Sequence, residues 1–257
     1  MSGTDLRARS ASELVDAAFA LYRRDLMQYV LVTAVAYAPS TIARLLLNTL
    51  SATPDISDLW KFVPFVLLAL FTFTMVGGVI ARMGSDVYLG GVADVAGTIR
   101  AVLPRFGSLV GATFLTSMMA FFSLLFFLLP VFWVLAMTFA VFPLVVLEDR
   151  GPSAAIARSS ALSKGLKGHI LGTQLLVWGI YIALSLGMSA LSGLTGSQTI
   201  TVIIQALYAV FAYPIVNLVT MLLYYDARIR KEGFDVEHMA QTLSAPPMSS
   251  AMGGSVA

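Results

Sequence analysis

Residues 107–147 read GSLVGATFLTSMMAFFSLLFFLLPVFWVLAMTFAVFPLVVL, 41 positions in a row without Asp, Glu, Lys or Arg. An α-helix rises about 1.5 Å per residue, so about 20 apolar residues cross a hydrocarbon layer roughly 30 Å thick. The run is twice that length, and Leu129-Pro130 lies near its middle. Proline withdraws a backbone donor and drives its predecessor out of the helical region. The run predicts two spanning helices joined by a tight turn.

The same test, carried outward, finds the other spans. Ile170–Tyr225 holds 56 uncharged residues, and its middle, Ser192-Gly193-Leu194-Thr195-Gly196-Ser197-Gln198, is turn-like. It predicts spans five and six. Phe62–Ala81, bracketed by Lys61 and Arg82, is the second span; Leu26–Ala43, extended past Arg44 to Leu50, is the first. The expected fold is all-α and polytopic, with six transmembrane helices as three hairpins.

Composition agrees. Apolar residues are 58% of the 257 and charged residues 12%, about half the roughly 25% of a soluble domain. So little charge covers no water-facing surface, and it excludes disorder over most of the length. The absence of cysteine removes disulfides and thiolate chemistry, and two histidines, His169 and His238, argue against a histidine-built metal site. A net charge of +2 gives no footprint for nucleic acid. No cofactor is expected.

Orientation follows the cations. Fourteen of the 16 Lys and Arg residues fall in the N-terminal segment, the second and fourth links and the tail, leaving only Arg44 and Lys61 opposite. Both termini are therefore expected in the cytoplasm. Residues 1–25 carry eight charges and no apolar core, which predicts no cleavable secretion signal.

Three segments ahead of the hairpins share a plan. Residues 14–24 set Leu14, Ala18, Leu21 and Tyr22 on one side; residues 92–106 oppose Val92, Val95, Ile99, Val102 and Leu103 to Asp94 and Arg105; residues 154–167 repeat it with Ile156, Leu162 and Leu166. Each predicts an amphipathic helix lying at the interface, its apolar side among acyl chains. Internal duplication and a mere rhythm of topology both give that order. The expected division is a cytoplasmic N-terminal segment over 1–28, a membrane domain over 29–226 and a tail over 227–257, disordered from about 244, where Ser244-Ala245-Pro246-Pro247 begins a low-complexity end.

Three motifs carry a resemblance: Glu13-Leu14-Val15-Asp16-Ala17-Ala18-Phe19-Ala20-Leu21-Tyr22-Arg23-Arg24, Leu147-Glu148-Asp149-Arg150-Gly151-Pro152 leading into residues 157–165, and Leu223-Tyr224-Tyr225-Asp226-Ala227-Arg228 running on to Asp235. Together they resemble a bacterial family of six-helix inner-membrane proteins, related to the membrane domain that is fused to glycerophosphoryl diester phosphodiesterases. The resemblance covers roughly residues 12–240, and its motifs mark helix ends. It implies the membrane fold and a bacterial inner-membrane location. The family's phosphodiesterase activity lies in a separate soluble domain, whose metal-binding histidines and carboxylates have no matching positions here.

Candidate site residues are of two kinds. Arg82, Asp86, Glu148, Asp226 and Arg228, with Asp149, lie at helix ends on one face of the membrane and suit a ring of ion pairs; a proton relay is the alternative. Arg44, Gln174, Gln205 and Asn217, with Asn48, are polar groups within apolar runs. Arg44 suits either an anchor that snorkels to the outer interface or a solute contact, and the amides either hydrogen bonds between helices or a polar path. Small residues four apart, Gly77-Ala81-Ser85, Gly107-Gly111 and Ser185-Ser189-Gly193, allow close helix contact. Pro39, Pro64, Pro143 and Pro214 are candidate kinks, Trp60, Phe62, Tyr224 and Tyr225 suit aromatic belts, and His169 reads as interfacial. With no catalytic motif in a suitable setting, the expected function is a non-enzymatic scaffolding or assembly component of a membrane complex or the envelope. The alternatives are a small transporter or channel for an amphiphilic solute, or a membrane-embedded lipid enzyme. Expected partners are membrane lipids, with other membrane subunits or a second copy also open.

Overall fold

A computed structural model describes residues 7–50, 63–125 and 128–236. Trp60, Lys61, Phe62, His238, the side chain of Asn48 and the tail from 244 lie outside the described residues. Ten α-helices and no strand occur among those described: α1 Ala11–Arg24, α2 Leu26–Leu50, α3 Val63–Tyr88, α4 Val95–Val102, α5 Phe106–Leu125, α6 Leu128–Met137, α7 Val141–Leu147, α8 Pro152–Ser163, α9 Lys167–Gly193 and α10 Gln198–Glu232.

Local chemistry sets several of the ends. Ser10 and Glu13 form a capping box on α1: the Ser10 hydroxyl accepts from Glu13 N at 3.4 Å, and Glu13 Oε2 accepts from Ser10 N at 2.8 Å. These bonds and Arg7 beside them bring the Glu13 carboxyl down to about 2. Asp94 caps α4 through Gly97 N at 3.0 Å, and Ser197 caps α10. Gly233, at φ +64°, ends α10 in the left-handed region that side chains avoid.

Six stretches are long and apolar enough to cross a membrane: Leu26–Leu46, Val66–Tyr88, Val95–Leu125, Pro130–Leu147, Lys167–Gly193 and Gln198–Glu232. This is a multi-pass membrane protein. α10 is the central element, packed against α9, α2, α3 and α1, and α3 joins it to α5 and α7. Leu218, Met221, Leu222 and Leu223 of α10 are buried with Val76, Ile80 and Met83 of α3. Far from that core, Phe114, Phe121, Leu125, Trp133 and Leu186 are more than half exposed. Such an apolar surface suits lipid rather than water.

Two features differ from the sequence reading. The apolar sides of α1 and α8 are covered by protein: Leu14 and Ala18 are buried where α1 packs on α10 and α9, and Ala155 and Leu162 where α8 packs on α5 and α7. α1 runs along α10, from Arg9 N on Asp226 to Val15 and Phe19 beside Ala212, Ile215 and Val216. In the middle segment Val92, Ile99 and Leu103 are exposed, but Val102 is fully buried and Val95 half-buried. The second difference is that the fourth span is interrupted at Thr138–Ala140, between α6 and α7. Ala140 N turns to Ser159 Oγ at 3.1 Å, Val141 N bonds to Thr138 O at 3.3 Å, and Pro143 has no N–H to give.

Candidate functional site

Arg44, Gln205, Gln174 and Asn217 line two separate cavities. The first, of about 360 Å³, lies between α2, α3, α9 and α10 and is lined by Arg44, Gln205, Tyr37, Ser40, Tyr181 and Tyr208 among others. Hydroxyls shape its wall. Ser40 and Thr41 both donate to Tyr37 O at 2.9 Å, just past Pro39, which leaves the carbonyl one turn back without its helical donor. Thr72 donates to Ala36 O at 2.9 Å, tying α3 to α2, and Tyr208 donates to Tyr181 O at 2.5 Å, tying α10 to α9. Arg44 sits two residues inside the end of the apolar stretch Leu26–Leu46, with its side chain exposed at this cavity.

The second cavity, of about 270 Å³, lies between α3, α5, α6, α9 and α10, with the α6–α7 break in its wall. Gln174, Asn217, Thr116, Thr138 and Thr220 supply its polar atoms. Asn217 Nδ2 donates to Tyr213 O at 3.0 Å, while Gln174 Oε1 is buried with no hydrogen-bond partner. A buried amide oxygen left unsatisfied costs about 1–3 kcal/mol, so it marks a place where a donor belongs. Irregular backbone at membrane depth is tolerated where it is buried in protein or lines a hydrated cavity, and Thr138 meets that condition.

Aromatic rings divide the two cavities. Phe73 lines both. Its ring centroid is 5.9 Å from that of Tyr213 and 5.7 Å from that of Phe142, and Tyr213 in turn stands 6.0 Å from Tyr37 and 6.5 Å from Tyr181. A third hollow, between α2, α3 and α4, is walled by apolar groups such as Leu31, Val35, Phe71 and Ile99. Of the four intramembrane candidates, the structure thus brings Arg44 together with Gln205, and Gln174 together with Asn217.

The helix-end charges form clusters rather than one ring. Glu148 Oε2 meets Arg150 at 2.8 Å and Arg158 at 3.3 Å, and Glu148 Oε1 accepts from Tyr224 at 3.1 Å. Arg158 also meets Glu232 at 2.5 Å, Glu232 meets Arg228 at 3.0 Å, and Arg228 donates to Tyr224 at 3.3 Å. These contacts close a circuit through α8 and α10. Burial works against the Glu148 charge, but the Arg150 hydrogen bond and Arg158 outweigh it and hold the carboxyl below its ordinary range. Asp226, only 2% exposed, sits beside this circuit: it accepts from Arg9 N at 2.7 Å, His169 Nε2 at 3.0 Å and Arg230 Nε at 2.8 Å. Arg82 and Asp86 pair with each other one turn apart on α3 at 3.2 Å, and Asp149 pairs with Arg105 at 2.7 Å.

Sequence reasoning missed Thr138, the tyrosine walls, and His169, Arg158, Arg230 and Glu232 as members of these networks. Pro143, three residues past the interruption, was the one local signal; the charged contacts join residues as far as 221 positions apart and leave no trace in spacing. No group of three residues suited to hold a metal ion occurs among the described residues. Fold and cavities define the class: a polytopic α-helical membrane protein with two half-open hollows between its helices, each carrying polar side chains. No protein-family model, no curated protein and no solved structure matches the chain.

Proposed function

We propose that this is a non-enzymatic protein of the bacterial inner membrane, its six spans arranged as three hairpins with both termini in the cytoplasm, that binds an amphiphilic solute. One observation carries the proposal: Gln174 Oε1, in the wall of the second cavity, is buried and accepts from nothing in the protein. Polar residues kept at membrane depth without mutual pairing mark a solute path by default. The bacterial location and the kinship with the six-helix family rest on the helix-end motifs quoted above. The test is native mass spectrometry of protein extracted in mild detergent. A retained amphiphile, lost when Gln174 and Gln205 are both changed to Leu, is the expected result; adducts that are absent, or identical in that variant, contradict it.

A scaffolding or assembly role is favoured by a different feature. Gly172, Gly179, Ala183, Gly187 and Ala190 share one exposed face of α9, and a Cβ added at any of these glycines would meet nothing within 4 Å. Such a face lets a neighbouring helix approach closely. Chemical cross-linking in native membranes tests it: a specific adduct abolished by Gly179→Leu supports the role, and a chain that always migrates alone removes it.

A further inference from the structure

The second cavity is polar without being charged. Gln174 and Asn217 bring two amides to its wall, and Ser117 and Trp178 bring a hydroxyl and an indole N–H. A primary amide carries two donor hydrogens and an accepting oxygen, so the wall holds atoms of both kinds. Asn217 gives one hydrogen to Tyr213 O at 3.0 Å and keeps a second, and nothing donates to Gln174 Oε1. Thr116, Thr138 and Thr220 each donate to the carbonyl one turn back, at 2.8, 2.9 and 3.0 Å, which leaves the lone pairs of their oxygens. Among the described residues that line this cavity, none is Lys, Arg, His, Asp or Glu. The other two hollows differ in kind: Arg44 stands in the wall of the first, and the third is walled by apolar side chains alone.

A charge is unfavourable in such a place. Thr116, Gln174 and Asn217 lie within the apolar stretches Val95–Leu125, Lys167–Gly193 and Gln198–Glu232. An ion of either sign would give up its hydration there, and this wall holds no counter-charge to offset the loss. A bare hydrocarbon fits no better, because it would leave the amides without partners. An uncharged group that both donates and accepts loses much less on leaving water, and it meets complementary atoms whichever way it turns. Phe73, Phe142 and Val216 supply apolar wall on which an alkyl chain can lie. Apolar lining with a few polar groups that fix orientation is the usual make-up of a site for a small molecule.

We propose that the cavity between α3, α5, α6, α9 and α10 takes the uncharged, hydroxyl-bearing head of a neutral amphiphile such as a glyceride. This rests on the reading of that cavity as an amphiphile site, and it restricts the reading to heads without charge. A hydroxyl suits the mixed wall because one oxygen both donates and accepts. The same chemistry comes from a single-chain glyceride or from a diacylglycerol of the bilayer.

The test uses the whole chain in detergent micelles with Trp60→Phe and Trp133→Phe, which leave Trp178 as the only tryptophan. Its fluorescence is followed during titration with 1-decanoylglycerol, decyltrimethylammonium, decyl sulfate and decane, compared at equal mole fraction in the micelle. The glyceride is expected to bind saturably and at least about tenfold more tightly than either ion or the alkane, a ratio equal to about 1.4 kcal/mol. Gln174→Met, which removes the amide and keeps the length of the side chain, is expected to cut the preference over decane about fivefold and to leave decane binding unchanged. Ser117→Ala, at an exposed position, is expected to act in the same direction. An ion that binds as tightly as the glyceride, a glyceride no tighter than decane, or a preference untouched in both variants overturns the assignment of an uncharged head alone. Absence of saturable binding by all four overturns the amphiphile reading with it. 1,2-Didecanoylglycerol separates the sources: tighter binding than 1-decanoylglycerol assigns the head to a diacylglycerol, and weaker binding assigns it to a single-chain glyceride.

Discussion

Glu148 stands where α7, α8 and α10 meet, and each of its oxygens has a job: one receives two arginines, the other the Tyr224 hydroxyl. Because its carboxyl is held below the ordinary range in the folded state, its contribution to stability is complete above the unfolded glutamate value and is lost as pH falls through the lowered folded value. Tyr224→Phe removes one of the bonds that lower it. Thermal unfolding in detergent between pH 3 and 7 should therefore show a smaller acid loss of stability, completed at a higher pH, in Tyr224→Phe than in the parent chain; an unchanged acid limb would show that the circuit does not act on Glu148. At this scale the sequence was half legible. Charges at the ends of apolar runs flagged Glu148, Asp226 and Arg228 without any structure. Their partners were invisible, since His169 reaches Asp226 across 57 positions and Tyr224 reaches Glu148 across 76.

Helix packing decides the next level. The small residues of α3 do allow close approach: Ala81 and Ser85 are buried, Ser85 bonds Tyr225 at 2.6 Å, and the tightest of the glycines on this helix are Gly78 and Gly84. A Cβ at Gly84 would stand 2.6 Å from Leu218 Cδ2 and 3.0 Å from Met221 Cε, both buried in the core of α10. Gly84→Val should cost about 1–3 kcal/mol through overpacking, read as a lower unfolding midpoint. Gly107→Ala, where nothing lies within 4 Å, should leave that midpoint unchanged. Equal effects would mean that α3 and α10 do not meet as described. Spacing by fours found the right helix because both faces of α3 are rich in small residues. The stripe so found also lies on the face toward α10, where Gly77 meets Asn217 and Ser85 bonds Tyr225, while Gly78 meets Leu109 of α5 on another side. The interruption at Thr138–Ala140 was hidden: hydropathy counts apolar atoms, and a backbone that leaves its helical ladder for Ser159 Oγ changes none of them.

At the scale of the whole molecule, six apolar runs set the number of elements, and the few polar residues among them set where the interior is open. Arg44 and Gln205 mark one chamber, Gln174 and Asn217 the other, with Phe73 and Tyr213 between them. Everything proposed for these chambers requires that the helices cross a bilayer in the order given. The chain has no cysteine, so single cysteines report their own location without background. The decisive measurement places one at Lys164→Cys, ahead of α9, and one at Leu194→Cys, beyond its far end, and treats intact cells with a membrane-impermeant maleimide. Position 194 should be labelled in intact cells, and position 164 only after the membrane is opened. Labelling of both positions from the same side, or of 164 alone from outside, would contradict the threading on which the account stands.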